Sequence, residues 1–166
     1  MGTWTTTPRT WVAGEVPTAT HFNENLRDFG RAFADAWTSY TPTLTASTTN
    51  PTGWTQTGYY MQVGKLVVAK FVVTAGASFT AGSGTYQIRL PVNANLTVGD
   101  LEVCFLRINW SGGSGYGHAY LVTGQPTYIR MGYRSSLTAL ANITNAAPGT
   151  WASGSFIRGT IVYEAT

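Results

Sequence analysis

Asp100 and Glu102 are the carboxylates most nearly placed for acid–base work in the larger part of the chain. Two positions apart on an extended strand they point the same way, and a glycosidase needs such a pair flanking one bond. The spacing also sets like charges against each other. Asp100 follows Val98 and Gly99, where aspartate is a routine turn former, so the turn reading is the plainer one and a carbohydrate-active enzyme is a remote alternative. His118 is the only histidine beyond Trp37, and neither it nor His21 has a second ligand at zinc or iron spacing. A Ser–His–acid triad can be written with any of many serines, which makes it no signal at all. No catalytic residue, metal or cofactor is expected.

Cys104, the single cysteine, excludes an internal disulfide. Midway along LEVCFLRINW it reads as a small buried hydrophobe rather than a reactive thiol. WSGGSGYGHAY, Trp110 to Tyr120, is the most distinctive stretch. It is glycine-rich but lacks the strand-to-helix setting and the lysine of a phosphate loop. As a hairpin tip it needs no ligand. As a ligand-facing loop it offers Trp110, Tyr116, His118 and Tyr120, flat rings with polar edges that suit a sugar or a protein surface.

The elements that hold these residues are mostly strands. From Trp37 the apolar period is two, with Gly, Pro, Asn or Ser marking turns every ten or so positions. The candidates are WTSYTPTLT, GYYMQVG, KLVVAKFVVTA, GTYQIRLPV, LEVCFLRINW, HAYLVT, TYIRMGY and SFIRGTIVYEA. Pro42 places the first at an edge or an end, since proline cannot donate to a ladder. LEVCFLRINW is partly apolar on both faces, as suits a central strand or one lying against a neighbouring subunit. No helix follows a strand, which leaves an antiparallel sandwich, jelly-roll or barrel, read here as a β-sandwich or jelly-roll-like domain over 38–166.

Residues 1–37 are different. An extended Thr-rich arm precedes a helix that Thr18 or Thr20 can cap after Pro17, and His21 sits in the cap region. MGTWTT formally fits an N-myristoylation pattern, but an undecorated polar start is the simpler reading. Phe22, Leu26, Phe29, Phe33 and Ala36 recur at four, three, four and three, a short heptad seam that can pack on the β domain or on copies of itself.

Charged residues make up 10% of the chain, well under half of what soluble domains carry, so Thr, Ser, Asn and Gly must supply the polar surface. Beyond Trp37 about seven basic residues face about three acidic ones, a bias toward anionic surfaces such as an envelope polymer. No Lys/Arg cluster marks a nucleic-acid groove, no stretch approaches a membrane span, and no basic-then-apolar leader opens the chain.

The segments TWVAGEVPTATHFNENLRD, WTSYTPTLTASTTNPT, YYMQVGKLVVAKFVVT and GTYQIRLPV resemble small virion surface proteins of tailed bacteriophages, a likeness spanning Thr10 to Val92. It rests on Trp11, Gly14, Glu15, Val16, Thr18 and Ala19, then Gly58, Tyr60, Gln62, Val63, Gly64 and Lys65. The resemblance implies a homo-oligomer, most often a trimer, assembled in the bacterial cytoplasm and fixed to the virion by its N-terminal part. Trp11, Val16, Phe22, Leu26, Phe29 and Phe33 would then be the anchoring and oligomerisation residues. Partners would be the major capsid protein or tail proteins, because similar segments occur in head decorations, head fibres and minor tail proteins. The chain lacks the shaft of a tail fibre, which favours a capsid decoration or short head fibre; a tail-associated module binding host polysaccharide is the alternative.

Overall fold

The computed structural model describes residues 12–21, 23, 30, 37–97, 102–136 and 139–166. Ten strands form one antiparallel sheet: β1 (Thr38–Tyr40), β2 (Leu44–Ala46), β3 (Thr52–Val63), β4 (Leu66–Thr80), β5 (Tyr86–Arg89), β6 (Glu102–Trp110), β7 (Gly113–Leu121), β8 (Tyr128–Arg134), β9 (Leu140–Asn142) and β10 (Phe156–Glu164). They run β1-β3-β4-β10-β6-β7-β8-β5-β2, and β9 joins the edge of β8 beyond β5. The two ends of this path, β1 and β2, are consecutive in the chain. Pro42 lies buried between them, where the ladder breaks, and the Leu44 N–H donates to Gln56 Oε1 on β3 at 3.2 Å. The sheet therefore curls until its ends meet, and the fold is the mainly β, antiparallel, sandwich-like domain that the two-residue period implies.

That period sorts the side chains. On β4, Val67, Ala69, Phe71, Val73 and Ala75 point inward and are buried, while Lys70 between them is exposed. Leu106 and Ile108, Ile129 and Met131, and Ile157 and Ile161 do the same on β6, β8 and β10. One end of the core is aromatic. Trp54 and Trp151 meet edge to face at 5.5 Å, with Phe79 and Tyr86 against them. Each buried polar tip has a carbonyl: Trp54 Nε1–H donates to Thr80 O at 3.1 Å, Trp151 Nε1–H to Thr144 O at 2.8 Å and Tyr86 O–H to Ala81 O at 2.6 Å. Such rings bring large apolar area without leaving a donor unmet.

Two strand expectations need correction. GYYMQVG is only the second half of β3, which starts at Thr52 and carries a bulge between Thr52 and Trp54, and Leu140–Asn142 forms a strand the period did not show. The ligand-facing loop over Trp110 to Tyr120 is not a loop. Ser111 and Gly112 alone make the turn, Gly112 with a φ of 83° that favours glycine. Residues from Gly113 onward pair with β6, because Gly113, Gly115 and Gly117 fall on the inner side in strict alternation with Ser114, Tyr116 and His118.

At the other end of the chain, helical backbone appears at residues 19–21, 23 and 30. Of the two possible caps, Thr18 serves. The His21 N–H donates to Thr18 Oγ1 at 3.2 Å and the Thr18 N–H to His21 Nδ1 at 3.4 Å, a reciprocal capping pattern with histidine in the usual Glu position.

Candidate functional site

The ring-bearing residues singled out in the sequence divide between the two sides of the sheet. Trp110 points inward from the end of β6, packs against the core and lies over Gly113, Gly115 and Gly149; a side chain at Gly113 or Gly149 would collide with its indole, and one at Gly115 would press on it. It fills space and does not face solvent as a ligand platform. Tyr116, His118 and Tyr120 share the outer side of β7. His118 stacks on Tyr120 with ring centres 5.7 Å apart, and the Tyr120 hydroxyl donates to Asn142 Oδ1 at 2.6 Å. His118 is half-buried because Gly132 on β8, directly opposite, leaves room for its ring; a Cβ there would sit 2.6 Å from it.

Strand pairing adds partners that are far apart in sequence. Phe105 on β6 faces His118, Arg107 faces Tyr116, and Arg158 on β10 faces Arg107 from the other side. Arg130 and Arg134 of β8 and Leu140 of β9 extend the same outer surface. Phe105 is 85% exposed, Tyr116 73% and Leu140 64%. These exposed apolar side chains are grouped rather than scattered: Phe105 and Tyr116 line both grooves of this face, and Leu140 borders one of them. Phe105 and Tyr116 form a ridge between two open grooves: one of about 550 Å³ floored by Phe71 and Leu106 and walled by Arg107 and Arg158, the other of about 370 Å³ bordered by His118, Arg134 and Leu140. The larger groove opens where β6 and β10 part. Their pairing runs from Asn109–Phe156 to Leu106–Gly159, while β10 follows β4 as far as Glu164.

Electrostatically the face is one-sided. The Arg107 guanidinium lies 6.0 Å from the Tyr116 ring centre and that of Arg158 4.9 Å from Phe156. Among the described residues no carboxylate pairs with Arg107, Arg134 or Arg158, and the Nε of Arg130 is buried without a partner. An arginine group thus exists in space that the sequence, scanned for Lys/Arg runs, does not show. The legible hint was the two-faced apolar character of LEVCFLRINW; no local pattern told which strands flank it.

The remaining candidates are quickly placed. Asp100 lies outside the described residues, and of Glu102 only the backbone is placed, opposite Tyr120. Among the described residues no three His, Cys, Asp or Glu gather as metal ligands. Cys104 faces inward, and burial pushes its thiol up to about 12 although Ala119 offers it a backbone hydrogen bond, so it is the inert packed thiol its setting implied. In the arm, Val16 is 82% and Val12 70% exposed. Trp11, Phe22, Leu26, Phe29 and Phe33 lie outside the described residues. Comparison of the chain with models of known protein families, with curated proteins and with solved structures finds no match.

Proposed function

We propose that the chain is a non-enzymatic structural protein of a tailed-bacteriophage virion, a homo-oligomer, trimeric on the family likeness, that decorates the capsid or forms a short head fibre. Residues 1–37 would be the anchor and 38–166 the domain carried on the particle surface. The observation that supports this reading most is what the β domain leaves out. It closes its own core from Trp37 onward, yet Val12 and Val16 beside the capped helix start remain exposed. An arm with apolar residues left free is suited to docking on another surface, and several such arms on one oligomer bind at high effective concentration. Quantitative mass spectrometry of purified particles tests it: a decoration is present in the many copies set by a repeating lattice. A few copies per particle would sink the capsid reading.

A second reading, host recognition from the tail, is favoured by a different observation, the exposed ring and arginine face of β6, β7 and β10. Rings and guanidinium groups bind sugars and anions without performing chemistry on them. Particles carrying Tyr116→Ala should then adsorb poorly to cells although the protein folds; unchanged adsorption removes this reading.

A further inference from the structure

We infer that the groove where β10, β6 and β7 meet binds a uronate-bearing polysaccharide, with a sugar carboxylate across Arg107 and Arg158 and a sugar ring on Tyr116 and Phe105. The inference deepens the host-recognition reading and rests on it for its biological setting, though not for the binding itself.

Arg107 and Arg158 are directly opposite on neighbouring antiparallel strands. Like charges so placed repel, and among the described residues no carboxylate relieves them. Their ring contacts, Arg107 with Tyr116 and Arg158 with Phe156, orient the guanidinium groups without neutralising them. Both guanidinium groups border the same groove, and a guanidinium fork matches the two oxygens of a carboxylate.

The rings narrow the choice further. Phe105 and Tyr116 stand 85% and 73% exposed beside those arginines. The C–H face of a pyranose covers a flat ring while its carboxylate projects from the edge, so a uronate engages the rings and the arginines together. Grooves of about 550 and 370 Å³ lie on either side of the Phe105–Tyr116 ridge, the second bordered by Arg134. A linear acidic polymer can cross the ridge and place a second carboxylate near Arg134. Nucleic acid fits less well, because a bound strand presents one phosphate per nucleotide and is tracked by a row of cations.

Affinity electrophoresis of the full chain through gels containing polygalacturonate, alginate or hyaluronate tests the inference, with dextran, poly-glutamate and single-stranded DNA as comparisons. At least one uronate polymer should retard the protein, and dextran should not. Arg107→Gln with Arg158→Gln, and separately Tyr116→Ala, should each weaken retention about tenfold or more, while Lys70→Gln on the outer face of β4 should not. No retardation by any of the three polymers overturns the inference. So does equal retardation by poly-glutamate or DNA, or full retention of binding in the variants. A smaller oligomer for Phe105→Ala by light scattering would make the face a junction between copies and overturn it too. Adsorption of particles carrying the same variants separates the two claims. Lost adsorption without uronate binding leaves host recognition standing and removes the uronate ligand; uronate binding with normal adsorption does the reverse.

Discussion

Two aromatic clusters of this protein have opposite fates. Trp54, Phe79, Tyr86 and Trp151 close one end of the core, and the polar tips of both tryptophans and of Tyr86 are spent on carbonyls of their own chain. Phe105 and Tyr116 stand on the outside of the same sheet with arginines that no described carboxylate answers. The first cluster is complete and the second is open. Residue type therefore says little about role; what separates stability from recognition is whether each ring and charge is satisfied within the fold.

Cutting the inner cluster should have the largest effect. Trp151→Ala removes a side chain only 4% exposed together with its bond to Thr144 and should cost about 3–5 kcal/mol in urea unfolding. A loss under about 1 kcal/mol would mean the cluster is not the closed end described here. Alkali should act next. Tyr40, Tyr86 and Tyr163 hold their phenolic protons above the ordinary value of 10.0, and Cys104 its thiol proton above 9.0, chiefly because burial disfavours the anions. Below those ordinary values folded and unfolded chains are equally protonated at these groups. As pH rises through them, only the unfolded chain releases protons, so stability falls. Tm should be level up to about pH 9 and decline beyond it; a Tm unchanged at about pH 11 would contradict the burial of these groups.

Gly117→Ala probes the inner side of β7. A methyl group there meets the Gly132 carbonyl and sits 2.8 Å from Ile108 Cδ1, so backbone has to yield; thermal unfolding should report about 1–3 kcal/mol of destabilisation. Phe105→Ala and Tyr116→Ala should be the mildest changes, within about 0.5 kcal/mol of the parent chain. Circular dichroism melts check this, and a drop like that of Trp151→Ala would show that the outer rings belong to the core after all.

Period two showed most plainly where burial alternates, as on β4, whose inward residues Val67, Ala69, Phe71 and Val73 are buried while Leu66 and Lys70 are exposed. Gly113 to Gly117 misled because glycine is read locally as a turn former, whereas here it is the inner half of a strand that must fit Trp110 and Ile108. Tyr116 and His118 were visible from their types; Phe105, Arg107 and Arg158 were not, because cross-strand neighbours are set by which strands pair, and β10 lies next to β6 from far along the chain. The edge position of the Pro42 segment was legible from its missing donor, but that Pro42 splits WTSYTPTLT into β1 and β2, and that these close the sheet, was not.

The most direct test of the virion reading is electron microscopy of intact particles with a gold-labelled antibody against the β domain. Label spread over the capsid is the result the proposal requires. Particles without label, with the antigen confined to unassembled protein in the lysate, would contradict it.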